Sequence, residues 1–100
     1  MRPVGEEVQL RGDTISGSNP VAIAASSKES LSRMMDTTRQ RNVNAFFDVV
    51  RAEQGTLLPE GTRVRILEND SIGNSRVVRL EILEGELTGH EVWTHQFFIP

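Results

Sequence analysis

Four arginines on two neighbouring segments are the residues whose type and spacing most suggest a function. Both segments alternate polar and apolar residues, and the arginines are Arg63, Arg65, Arg76 and Arg79. If the segments pair as antiparallel strands, their outward arginines form one basic face that could bind RNA or DNA. Glutamates interleave with them, and no tyrosine is present for base stacking; the glutamates are Glu68, Glu81, Glu84 and Glu86. The pattern leaves two alternatives open: a nucleic-acid face, or cross-strand Arg–Glu pairs on a solvated surface.

The residues that catalysis or metal binding would need are not arranged for either. The two histidines of the sequence, His90 and His95, would point to opposite faces of one strand and cannot chelate the same ion from it. The chain has no cysteine, which excludes disulfides and thiolate chemistry. Glu84, Glu86 and Glu91 cluster near a predicted turn, where solvated charges are expected rather than an acid–base pair. We predict a non-enzymatic protein with no cofactor and no metal ion.

Trp93 is the single tryptophan and the best candidate for a partner-binding anchor. Strand alternation places it opposite Val92 and Thr94, on the outer face if those two point into the core. We predict a partner-binding site that combines Trp93 with Glu84, Glu86 and Arg76, where the flanking turns meet the tryptophan-bearing strand. The alternative is that Trp93 packs beneath the predicted helices as part of the core.

Helical periodicity occupies the middle of the chain. Ser26 lies three residues before Glu29, the spacing of a helix capping box. Apolar residues then recur at three- and four-residue spacing, which predicts helices over about 28–39 and 43–53; they are Leu31, Met34, Met35, Val43, Phe46, Phe47 and Val50. Gly55 is a natural end for the second helix. The two helices are expected to form a hairpin.

Alternating patterns predict strands on both sides of these helices. VAIAA at 21–25 reads as a short buried strand, and Val4, Val8 and Leu10 indicate a short edge strand within the polar residues 1–20. After Gly55, the residues 57–62 read as a strand end and a turn. Three consecutive antiparallel strands are then predicted near 62–68, 76–83 and 90–95.

The second half of the chain resembles bacterial SH3-like domains. The resemblance is carried by GTRVRILE and RVVRLEILEGELTGHEVW; the matching residues are Gly61, Thr62, Val64, Leu83, Gly85, Gly89 and Trp93. It implies an α+β fold in which a two-helix hairpin is inserted between the first and second strands of a small SH3-like β-barrel. One domain is expected over 1–100: an arm at 1–20, the first barrel strand at 21–25, the hairpin at 26–55 and the remaining strands at 56–100.

Composition and charge restrict the function classes. The formal charge is -3 and the pI is about 5.3, so there is no global attraction to nucleic acid or to an anionic membrane. Glu6 and Glu7 fall where a signal peptide would need its apolar run, which makes a cytoplasmic location the default expectation. We predict a non-catalytic protein-interaction module with an unknown protein partner, and the sequence leaves open that the partner is a second copy bound through the helices. The alternative is an RNA- or DNA-binding accessory protein that uses the arginine face.

Overall fold

A computed structural model of the chain describes residues 3–12, 20–39, 48, 51–52 and 55–100. In this part of the chain, six strands form one antiparallel sheet, with one α-helix and one 3-10 helix. In chain order the elements are β1 (Glu7–Gln9), β2 (Val21–Ala25), α1 (Lys28–Arg39), β3 (Thr56–Pro59), β4 (Arg63–Ile72), β5 (Ser75–Ile82), β6 (Glu91–His95) and the 3-10 helix Gln96–Phe98. The strands lie in the order β1-β4-β5-β6-β2-β3.

Helix α1 begins at a serine cap and occupies the residues predicted for the first helix. Ser27, rather than Ser26, is the cap: its Oγ accepts a hydrogen bond from the Ser30 N–H at 3.1 Å, and its carbonyl accepts one from Leu31. Leu31 and Met34 are buried, as their spacing predicted. They pack with Ala25 and Val77 in a small cluster between the helix and the sheet.

The three strands predicted after the helical region are observed as β4, β5 and β6, which pair consecutively and antiparallel, although β4 continues to Ile72, four residues beyond its predicted end. The alternation of apolar and polar residues along each strand determines which side chains face the core. Val78, Leu80 and Ile82 of β5 are buried in the main core, whereas Arg79 and Glu81 lie on the opposite, outer face. The outer face therefore carries the charged residues, and α1 covers only one part of it.

A three-residue connection determines the shape of the sheet. Strand β3 lies at one edge, yet residues 60–62 join it directly to β4, which lies next to the opposite edge. Such a short connection requires the sheet to curl until its two ends approach each other. Backbone hydrogen bonds join them there: Leu10 donates to the Thr62 carbonyl at 3.0 Å and accepts from the Gly61 N–H at 2.8 Å. The main core fills the inside of this curl.

The predicted fold class is wrong. The described residues form an open six-stranded sheet on which α1 packs, not a two-helix hairpin inserted in an SH3-like barrel. The sheet does not close because the described residues contain no ladder between its edge strands β1 and β3. The predicted first barrel strand is the second strand, since part of the predicted arm pairs with β4 as β1. Of residues 57–62, predicted as a strand end and a turn, the first three belong to strand β3 and the last three form the connection to β4.

The predicted helix at 43–53 falls largely outside the described residues. Only Asp48, Arg51 and Ala52 of that range are described; their backbone is helical, and Arg51 pairs with Asp48 at 3.0 Å. The two phenylalanines expected on its buried face, Phe46 and Phe47, also lie outside the described residues. The two-helix hairpin is therefore not seen.

The main core predicts a large difference between two leucines. Leu80 is completely buried, whereas the Leu57 side chain on β3 lies at the surface with 41% of the residue exposed. Leu80→Ala should lower the free energy of unfolding by about 2–5 kcal/mol, because it leaves a cavity inside the curled sheet. Leu57→Ala should lower it by less than about 1 kcal/mol. Equal losses for the two variants in urea titrations would contradict this assignment of the core.

Candidate functional site

The arginines of β4 are paired with glutamates rather than presented to solvent as a basic face. Arg65 faces Glu81 in the β4–β5 register, and its Nη1 lies 3.2 Å from Glu81 Oε1. The Glu7 carboxylate on β1 contacts two arginines, with distances of 3.2 Å to Arg63 Nη2 and 3.5 Å to Arg65 Nη2. This is the cross-strand pairing that the sequence left as the alternative.

The arginines of β5 are separated by the pleat of the strand. Arg79 lies on the outer face between Glu68 and Glu91; its Nε is 3.2 Å from Glu68 Oε1, and its Nη1 also contacts Glu91. Arg76 is exposed near the tip of the β4–β5 hairpin and, three positions earlier on the strand, points to the other face. The four arginines therefore do not form one basic surface.

Trp93 is half-buried beneath α1. It packs against the cluster of Ala25, Leu31, Met34 and Val77. The Lys28 Nζ lies 5.8 Å from the centre of the indole ring and also 2.7 Å from the Asp70 carboxylate. Both contacts help to hold the first turn of α1 on the sheet. The ion pair lowers the pKa of Asp70, mainly through its hydrogen bond from Lys28. The ring is thus a contact between helix and sheet.

The other residues predicted to surround Trp93 lie elsewhere. Glu84 and Glu86 belong to the turn that follows β5, whereas Arg76 lies near the hairpin tip that precedes it, so the length of β5 separates them. The Glu84 carboxylate accepts a hydrogen bond from the Arg63 backbone at 3.0 Å, and Glu86 is exposed. The structure does not bring the four residues into one patch.

The histidines serve as local structural groups in this arrangement. His95 Nδ1 accepts a hydrogen bond from the Phe97 N–H at 2.9 Å, which caps the 3-10 helix. Burial lowers the pKa of His95 below its ordinary value of 6.5. His90 is exposed in the preceding turn. Across the described ranges, no three His, Cys, Asp or Glu side chains lie close enough together to hold a metal ion.

The open edge of β1 is the feature best arranged for binding. Glu6 accepts a hydrogen bond from the Ile66 N–H, and Leu10 donates one to the Thr62 carbonyl, so the backbone groups of these residues point toward the neighbouring strand. Backbone groups alternate in direction along an antiparallel strand, so those of Glu7 and Gln9 point away from the sheet. Within the described part of the chain, no hydrogen bond reaches these two N–H or two C=O groups.

The chain itself limits this edge at both ends. On the upstream side, the Gly5 N–H donates a hydrogen bond to the Ile66 carbonyl at 2.7 Å. On the downstream side, the Arg11 N–H is bonded to the Phe98 carbonyl at 2.8 Å. The available backbone groups are therefore those of Glu7 and Gln9. These two residues lie two positions apart on β1 and define a short window in which the edge can form hydrogen bonds. We call this window the β1 edge.

A groove of about 530 Å³ runs along the β1 edge. Six consecutive residues of the chain line it, 6–11, and its remaining lining consists of Glu60, Gly61 and Pro100. Glu60 is held in place because its carboxylate accepts a hydrogen bond from the Gly12 N–H at 3.1 Å. The groove therefore lies beside an edge strand, where an extended peptide can add by main-chain hydrogen bonds.

The opposite edge of the sheet is less available. The Glu60 N–H bonds to the Pro20 carbonyl, and alternation then directs Leu58 and Thr56 toward β2 and leaves Leu57 and Pro59 facing outward. Pro59 has no N–H, and its carbonyl accepts hydrogen bonds from the Thr62 N–H and Oγ1. Among the described residues, β3 therefore has one outward residue with both an N–H and a C=O group available, Leu57. β1 has two such residues, Glu7 and Gln9.

The sequence indicated an edge strand around Val8 and Leu10 but did not identify it as a site. The alternation of Glu7, Val8, Gln9 and Leu10 was the available signal. Comparison of the chain with models of protein families, with curated proteins and with solved structures finds no match. Among the described residues, no helix is both long and apolar enough to cross a bilayer.

The histidine cap predicts a pH dependence of stability. Because the pKa of His95 is lower in the folded protein than in the unfolded chain, the unfolded chain takes up a proton first as the pH falls through about 6.5. Stability is therefore fully present above that pH and decreases below it. His95→Asn, whose amide oxygen can accept the Phe97 hydrogen bond, should show a smaller decrease in melting temperature between about pH 7.5 and 5.5.

The exposed His90 provides the matched control. His90→Asn should retain the pH dependence of the unmodified protein, since its ring caps no helix. If His90→Asn rather than His95→Asn flattened the curve, the role given to His95 would be wrong.

Proposed function

We propose that this protein is a non-catalytic interaction module that binds an extended segment of a partner protein by strand addition to the β1 edge. The observation that supports this most strongly is the outward direction of the Glu7 and Gln9 backbone groups, beside a groove lined by the same strand. An edge of this kind can accept another strand through main-chain hydrogen bonds, with side-chain contacts providing selectivity.

The size of the window sets the expected affinity. Two outward residues can form up to four hydrogen bonds with an incoming strand, and each is worth about 0.5–1.5 kcal/mol net. Four such bonds total about 2–6 kcal/mol before the cost of association is subtracted, so on their own they give a dissociation constant no lower than about tens of micromolar. Contacts between the partner's side chains and the groove must supply any further affinity.

We propose an NMR titration as the test. The probe is a neutral heptapeptide that alternates threonine and valine, acetylated and amidated at its ends. We expect its addition to shift the amide signals of Glu7 and Gln9 and of the groove residues. Gln9→Pro should abolish the shifts, because it removes one outward N–H that no described residue accepts and leaves the bonds of the β1–β4 ladder intact.

Two matched controls accompany that variant. Gln9→Ala removes the same side chain but keeps the N–H, so it should bind the peptide as the unmodified protein does. A peptide N-methylated at every residue has no backbone donor on either of its edges and should not bind. Binding that persists in Gln9→Pro, or shifts confined to another surface, would contradict the proposal. So would a dimer of the free protein that Gln9→Pro dissociates, since a second copy would then be the occupant.

A further inference from the structure

We infer that the segment bound at the β1 edge carries lysine or arginine at alternate positions, with small apolar residues between them. This inference rests on the proposed function and specifies the chemical class of the partner. It follows from the charges and the shape of the two faces that meet at this edge.

The outer face presents a row of charges that ends at the edge. The strand registers place four residues side by side across the sheet, in the order Glu91, Glu81, Arg65 and Glu7. A strand added to β1 would place one of its side chains directly beside Glu7. The Glu7 side chain is 46% exposed, so a lysine or arginine there can reach its carboxylate from solvent. The row would then continue with a positive charge.

The charge balance around the edge also favours a basic segment. The paired network of the outer face contains four carboxylates and three guanidinium groups; its members are Glu7, Glu68, Glu81, Glu91, Arg63, Arg65 and Arg79. Among the groove residues that the structure describes, the carboxylates of Glu7 and Glu60 lie beside one basic residue, Arg11. Both regions are therefore net negative, and an acidic segment would be repelled.

The inner side of the groove determines which residues of the bound segment fit between its basic residues. Side chains of an added strand alternate between the side of Glu7 and the side of Val8 and Leu10. Val8 and Leu10 belong to the main core, and Gly61 beside them presents no side chain. A Cβ at Gly61 would meet no atom within 4 Å, so this part of the groove has room for a small apolar side chain. Valine or alanine fits that position.

The test compares two charged versions of the heptapeptide, in which lysine or glutamate replaces threonine. Fluorescence anisotropy should give a dissociation constant at least about ten-fold lower for the lysine peptide at 50 mM salt, and the ratio should shrink at 300 mM because salt screens exposed charges. Glu7→Gln and Glu60→Gln should each reduce this ratio. Glu29→Gln, an exposed position on α1 outside the groove, should leave it unchanged.

The outcomes separate the inference from the proposed function. Equal affinities for the two charged peptides, or a ratio unchanged in both Glu7→Gln and Glu60→Gln, would overturn the basic preference. Strand addition would still stand if Gln9→Pro abolished binding of the neutral peptide. Equal binding of an N-methylated lysine peptide would also overturn the inference, because the attraction would then be electrostatic without an added strand. Failure of all three peptides to bind would refute both proposals.

Discussion

The short connection between β3 and β4 is the constraint on which the rest of the fold depends. It joins an edge strand to a strand beside the opposite edge, so the sheet must curl around its own apolar face. Gly61 makes the connection possible with φ of 89°, a backbone conformation that costs most other residues roughly 1–2 kcal/mol. The hydrogen bonds of Leu10 with Gly61 and Thr62 then secure the corner. The core, the groove and the available edge all follow from this arrangement.

The same curl explains why one edge remains available while the other does not. The corner uses the backbone of Leu10. The next residue, Arg11, donates its N–H to the Phe98 carbonyl, so the edge is covered downstream of Gln9. On β3, Pro59 contributes no N–H and its carbonyl is used within the turn. Between these points, Glu7 and Gln9 keep their outward groups. Edge strands with such groups can pair with other chains, and a short, charged strand restricts which chains can do so.

Local patterns in the sequence predicted the elements better than their arrangement. The helix at Lys28–Arg39 and the three strands β4, β5 and β6 follow from periodicity. Burial of one face requires an apolar residue once per helical turn or at every second position of a strand, and the sequence shows that spacing. The Arg–Glu pairs were also foreseen as one alternative. The open sheet and the β1 edge depend instead on contacts between distant residues, such as Leu10 with Thr62, which no periodicity records. Likewise, alternation placed Trp93 on the outer face but left open whether a helix covers it, and the contact with α1 decides between the two alternatives.

The most direct test of this account is amide hydrogen exchange of the free protein, resolved by residue along β1. Val8 and Leu10 point their N–H groups at β4 and its connection, so their exchange should be slow. Glu7 and Gln9 point theirs into the groove and should exchange at least about a hundred-fold faster, until a strand-forming peptide is added and protects them. Protection of Glu7 and Gln9 equal to that of Val8 in the free protein would contradict the account, because the β1 edge would then already be paired.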